Sequence, residues 1–392
     1  MRGIAAAVAA LLVAPAARAA PEVSPFFQAD VDLRVHSVHR IEGENGFAVG
    51  RLRLGATSAI TSWFFASAQA EWARDKPALL EAQLTLRPLP QLEISAGAGR
   101  TPLFSAARDE QVWILPIPEL PMVARAFWPG YDAGVEVHRL PTPAVPLEAW
   151  LRFGNGSGSA LGNDNSDFAL DVRLDAVFGR AAPWAKRDAP FGLRMGAGLH
   201  AEAAEDRLGI TGTTADGYAF YRAQTVSGPR YVGEGHVVVL AGPVKIDAEI
   251  AVAREGRSKD TDGNPDTPRV PQDPIYSRGG FVEAAWMITG QRRTLGAWPV
   301  RTPWNVWDWG AVEVAARFER IDLERGARDV TAGGATAGAA AVRWWMTSFL
   351  SLSAAAYFTA YDIPPVEDPM TKRAWLGLLR ATVRVPTDPA ER

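Results

Sequence analysis

The chain has 392 residues, with 41 lysines and arginines against 44 aspartates and glutamates, and no cysteine. Without thiols it builds no disulfide scaffold, thiolate metal site or cysteine nucleophile, and a net charge of −3 lacks the basic surplus that marks a nucleic-acid binder. The length allows two or three domains, but no Ser/Pro-rich linker or charge block divides it, so one large domain is the simpler reading.

Residues 1–19 read as a cleaved secretory leader. Arg2 supplies the positive start, residues 4–17 an apolar run, and Ala17-Arg18-Ala19 a small-residue cleavage site. The run falls short of the roughly 20 residues of a spanning helix. No later stretch approaches that length, so residence in a membrane requires strands rather than helices.

From residue 26 a two-residue rhythm begins, the period of a strand with one apolar and one polar face. In "FFQADVDLRVH", Phe27, Ala29, Val31, Leu33 and Val35 oppose Gln28, Asp30, Asp32, Arg34 and His36. "RLRLG" sets Leu52 and Leu54 against Arg51 and Arg53, and "LLEAQLTLR" sets Leu80, Ala82, Leu84 and Leu86 against Glu81, Gln83, Thr85 and Arg87. "FALDVRLDA" places Leu170, Val172 and Leu174 opposite Asp171, Arg173 and Asp175. "KIDAEIAV" opposes Ile246, Ala248, Ile250 and Val252 to Lys245, Asp247 and Glu249. In "WDWGAVEVAARFERIDL", Val312, Val314, Ala316 and Phe318 oppose Glu313, Arg317 and Glu319. "WLGLLRATVRV" ends the series with Leu379, Ala381, Val383 and Val385 against Arg380, Thr382 and Arg384.

Sixteen strands are predicted near 27–36, 47–56, 62–72, 79–87, 92–99, 131–138, 147–153, 168–178, 191–203, 231–240, 245–254, 279–289, 309–320, 335–346, 350–361 and 374–385. At about ten residues each, they match the strand that crosses a bilayer at a tilt. The longest connections (100–130, 154–167, 204–230 and 255–278) follow odd-numbered strands, and tight turns such as 88–90 and 241–244 follow even ones. Long loops on one side and short turns on the other are the pattern of a transmembrane antiparallel β-barrel, here with both termini at the short-turn, periplasmic side. "YAFYRAQTV" (218–226), assigned to a loop, also has strand character. Lipid accepts the apolar faces and a water-filled lumen the charged ones. Trp298, Trp304, Trp307 and Trp309 crowd one turn, where an aromatic girdle meets lipid headgroups. Residues 20–392 thus form one outer-membrane barrel, with 386–392 a tail beyond the last strand.

Two stretches resemble the phosphate-selective porin O and P family. "ISAGAGRTPLFSAARDEQVWILP…FWPGYDAGVEVH" (94–138) is similar to that family's strand, G-x-x-K/R-x-P-F/L motif, constriction loop and following D-x-G-V strand. "GGFVEAAWMITGQRR…WDWGAVEVAARFERIDL" (279–323) is similar to its L-T-G-E-x-R turn and the strand after it. The resemblance implies a sixteen-stranded homotrimeric barrel whose third loop, residues 100–130, folds into the pore, with Arg100, Arg108 and Arg125 as anion contacts. Arg51, Arg53, Arg173, Arg317 and Arg380 are candidate wall residues. The chain departs from the family's arginine ladder and lysine cluster: only Lys76, Lys186, Lys245, Lys259 and Lys372 remain, and the fifth loop region offers Arg207, Arg222 and Arg230. A wall of mixed sign orients solutes without strong selection by charge, so phosphate specificity does not carry over.

Rival chemistry is thinner. Asp260, Asp262, Asn264 and Asp266 are spaced like the start of a calcium loop but lack its downstream glutamate, so a solvated loop fits better. The five histidines show no helical zinc spacing, and "GNGSGS" has no Lys-Ser/Thr after it. No metal or cofactor is expected. The reading is a non-enzymatic porin in the outer membrane of a Gram-negative bacterium. Its partners are membrane lipid, lipopolysaccharide and small hydrophilic solutes or anions, phosphate-like ions among them, with no nucleic acid. The alternatives are a non-conducting structural or adhesive barrel and a secreted β-rich hydrolase.

Overall fold

The computed structural model describes residues 22–38, 43–73, 76–108, 114–156, 158–163, 167–185, 189–260, 268–293, 295–296, 309–365 and 368–385. The leader, the tail 386–392, Trp298, Trp304, Trp307, Asp262, Asn264 and Asp266 lie outside the described residues. Within them the chain forms β1 (Glu22–His36), β2 (Gly46–Ala59), β3 (Phe64–Ala73), β4 (Lys76–Leu89), β5 (Leu92–Arg100), α1 (Ser105–Arg108), α2 (Met122–Phe127), β6 (Tyr131–Arg139) and β7 (Leu147–Gly154). It continues through β8 (Ala169–Gly179), β9 (Phe191–Leu208), β10 (Gly212–Thr213), β11 (Ala219–Tyr221), β12 (Thr225–Ala241), β13 (Val244–Lys259) and β14 (Val270–Met287). β15 (Ala311–Arg325), β16 (Gly333–Trp345), β17 (Leu350–Tyr361) and β18 (Arg373–Val385) complete it.

Sixteen of these strands close into one antiparallel barrel, each pairing with its neighbours in sequence, and β10–β11 form a separate two-stranded sheet. Closure runs from Phe27–Val385 to His36–Leu376, so the last strand's register is continuous with the first. A closed ladder leaves no backbone edge to meet hydrocarbon.

The two faces sort as the alternation requires. Val31, Leu84 and Phe318 are half exposed on the outside, while Asp30, Asp32, Glu313, Arg317 and Glu319 are buried toward the axis. An outward apolar face around an inward charged one is inverted relative to a soluble core and suits lipid. Aromatic residues mark both rims: Phe47, Trp72, Phe153 and Trp375 at the long-loop end, Trp286, Trp309 and Trp344 at the other. Trp309 and Trp344 stack at 6.4 Å.

Several local differences have physical causes. Between β3 and β4 the ladder passes from Gln69–Glu81 to Ala70–Leu79, so Leu80 is the extra residue of a bulge and is buried rather than lipid-facing. At the long-loop side the β3–β4 pairing continues to Ala73 and Lys76. β9, β12, β13 and β14 run 16 to 18 residues, longer than their apolar alternation. The ladder's hydrogen bonds persist in water beyond the hydrocarbon, where the sequence no longer needs an apolar face. In 218–226, Ala219–Tyr221 belongs to β11 and Thr225 opens β12.

Candidate functional site

The loop between β5 and β6 turns into the barrel. Phe104, at φ 63°, makes the left-handed turn that precedes α1, and Gly130, at φ 92°, lets the chain rejoin the wall. The loop's neck is closed by Thr101, whose amide and Oγ1 each donate to the Gly130 carbonyl at 3.0 Å. Inside, Leu103, Phe104, Met122, Val123 and Phe127 pack with Ile210 and Phe220 of the 209–224 segment and with Val232, Phe281, Ile321 and Leu323 of the wall. Each such side chain contributes about 1.5–3 kcal/mol of burial, enough to seat a loop with little regular structure of its own.

Polar anchors fix the backbone. Wall arginines donate to loop carbonyls: Arg173 to Pro102 (3.0 Å), Arg343 to Leu115 (2.5 Å), Arg380 to Pro118 (3.1 Å) and Arg317 to Glu119 (2.9 Å); Arg293, in the connection after β14, donates to Ile114. Wall carboxylates accept from loop amides: Glu249 from Ala106 (2.7 Å) and Glu319 from Met122. The Glu119 side chain completes the clamp on Arg380 at 2.6 Å. A second strap crosses the lumen where Asp216, beyond β10, meets Arg34 and lies 3.3 Å from His36 on β1.

The sequence-derived arginines therefore divide into groups. Arg173, Arg317 and Arg380 are fully buried beneath the loop, each also bonded to a wall carboxylate: Asp175 (2.7 Å), Glu283 (2.6 Å) and Asp32 (2.6 Å). Arg125 donates to the carbonyls of Leu120 and Thr213 and so ties the loop to the 209–224 strap. Burial holds its guanidinium below the ordinary arginine value, against the pull of Glu319 and Glu119. Arg51, Arg53, Arg100 and Arg108 lie on the β2–β6 side. There Arg51 meets Glu71 (2.9 Å), Arg53 shares Glu71, Arg100 reaches Glu81 (3.4 Å) and Arg108 bonds Glu136 (3.0 Å).

Sequence spacing missed Arg293, Arg343, Glu249 and Glu319 as loop anchors, and Asp216 as the strap's contact. It also missed that described histidines bridge carboxylates: His138 between Glu93 (3.2 Å) and Glu148 (2.8 Å), His200 between Asp171 (2.7 Å) and Glu202 (3.4 Å). Among the described residues no cluster of three or more His, Asp or Glu is arranged to hold a metal ion.

Residues 183–362 match the family described as phosphate-selective porin O and P. That match contains the resembling stretch 279–323; the stretch 94–138 lies outside it. No curated protein matches significantly. Among solved structures, OmpT of Vibrio cholerae aligns over 94% of this chain and 99% of its own, with 12% identity and a TM-score of 0.56. OprB of Pseudomonas putida aligns over 93% and 94%, with 8% identity and a TM-score of 0.55. The outer membrane channel DcaP of Acinetobacter baumannii aligns over 93% and 97%, with 9% identity and a TM-score of 0.53. At such identities the likeness establishes the fold, an outer-membrane barrel of porin type.

Proposed function

We propose that this barrel, which carries the phosphate-selective porin O and P pattern over residues 183–362, is a passive diffusion channel for small hydrophilic solutes. One observation carries the reading. Seven charged groups on the β2–β6 side keep contact with water: the Arg51, Glu71, Glu81, Arg87, Glu93, Arg108 and His138 side chains are 14% to 38% exposed, while Arg53, Arg100 and Glu136 beside them are buried. Arg173, Asp175, Lys245, Asp247 and Arg317 on the opposite wall are at most 3% exposed. A water path thus runs between the docked loop and β2–β6, with residues 100–130 narrowing it.

Each arginine on that path lies against a carboxylate: Arg87 on Glu93 and Arg51 on Glu71, beside the pairs already described. Alternating charges replace part of a solute's hydration shell while keeping its binding weak enough for exit. Selection by sign is correspondingly weak, and phosphate is one permeant among others. Export through residues 1–19 and assembly as a homotrimer belong to the same proposal; a V. cholerae OmpT structure is described as a trimer form.

A second reading, a non-conducting surface barrel, draws on the apolar seam that joins loop, strap and wall. Liposome swelling separates the two. A channel admits small sugars at rates that fall with solute size. Folded protein that supports no swelling in any sugar favours the closed barrel.

A further inference from the structure

The outward face of β13–β18 changes character toward the long-loop end. Ala248, Val282, Phe318, Gly338, Phe358 and Trp375 form a continuous apolar row across six strands. The next outward row toward the long loops reads Ile250, Gly280, Arg320, Thr336, Ala360 and Arg373. Above it Arg278 pairs with Asp322, and above that Arg254, Tyr276 and Arg325 lie side by side. Two residues advance the strand by roughly 6.6 Å, so on β15 and β18 apolar residue and cation are one step apart, while on β13 Ile250 and Val252 extend the apolar face before Arg254.

The cations outnumber their partners. Asp322 accepts from Arg278 (3.0 Å), Arg320 (2.6 Å) and Arg325 (2.8 Å), and Asp362 from Arg320 (2.7 Å). Arg254 and Arg373 are exposed and have no carboxylate partner among the described residues. The Arg278 side chain is 70% exposed. At the same rim on β1, β2, β3 and β7 the outward residues are Val35, Phe47, Trp72 and Phe153, so the cationic belt is one sector and not a collar. Below it, Ala340, Ala354, Ala356 and Gly377 line an apolar furrow on the barrel's exterior.

A guanidinium fork at the edge of hydrocarbon matches phosphate oxygens in shape and charge. A small-residue furrow on β16–β18, separated from the cations by the Phe318–Phe358–Trp375 row, accepts an acyl chain that passes over that row. We propose that this sector binds a phosphorylated, anionic glycolipid in the leaflet at the long-loop end, its phosphates on Arg254, Arg278, Arg320 and Arg373 and a chain in the furrow. The proposal stands independently of whether the lumen conducts.

Native mass spectrometry of the full protein in neutral detergent tests it, with bis-phosphorylated lipid A and its dephosphorylated form as probes. The wild type is expected to retain the phosphorylated form at least tenfold more tightly, and millimolar inorganic phosphate does not displace it. In R254Q/R278Q/R320Q/R373Q that preference disappears. Equal retention of both lipids by the wild type overturns the proposal, and this comparison does not depend on the variant folding. Displacement by inorganic phosphate alone, an unchanged preference in the variant, or a change in subunit number without loss of lipid would each overturn it too, the last by making the face a subunit contact.

Discussion

Replacing Arg317 and Glu283 together separates what Arg317 does for the wall from what it does for the loop. Its guanidinium gives Glu283 bonds of 2.8 and 2.6 Å within the wall and gives the Glu119 carbonyl one of 2.9 Å in the loop. Arg317→Met alone leaves Glu283 buried without its partner, a loss of about 3–5 kcal/mol in barrel stability. Adding Glu283→Gln removes that stranded charge, so the loop contact, about 1.5–3 kcal/mol, and the looser 3.7 Å approach to Glu319 are what remain lost. At 1.4 kcal/mol per factor of ten, the undocked loop becomes roughly tenfold to a hundredfold more populated. Arg343 on Leu115 and Arg380 on Pro118 still hold neighbouring turns, so the loop fluctuates rather than leaves. Single-channel recording should show added open-channel noise and excursions to higher conductance in the double variant. Current as quiet as the wild type's, at the same mean conductance, would refute the clamp.

The strap offers a parallel test: Asp216→Ala, which frees it from Arg34 and His36, is expected to raise mean conductance, and an unchanged value would detach the strap from the water path. Arg51→Glu with Arg108→Glu should move the reversal potential toward cation preference, whereas Arg173→Gln, buried under the loop, should leave it in place; equal shifts would remove β2–β6 from the conducting path. On the outside, Val314→Arg puts a cation within the apolar band and should cost about 2–4 kcal/mol in urea titrations of the vesicle-inserted barrel. A neutral result there would mean that this face does not meet acyl chains.

The barrel was legible because its register is local and repetitive. Val312 to Phe318 announce their face from their own spacing, and Glu313, Arg317 and Glu319 announce the other. Legibility stops where the hydrocarbon does: β9 and β12 continue past the apolar alternation because backbone pairing alone sustains them. It stops again inside the lumen. Inward arginines read as a solute ladder, since spacing gives the direction of a side chain but not its partner. Arg343 meets Leu115, and Arg380 meets Pro118, across more than two hundred residues, and the acceptors are backbone carbonyls that leave no mark in the sequence. The β10–β11 strap was legible only as strand character in 218–226, and its β10 half escaped for a related reason. At two residues, β10 is too short for a period to show.

The most direct test of the account is the current through single barrels in a planar bilayer under a tenfold salt gradient. The paired charges on β2–β6 predict stable, stepwise, ohmic openings with a reversal potential near zero. Folded, inserted protein that passes no current, or a reversal potential close to that of a perfectly anion- or cation-selective pore, would contradict it.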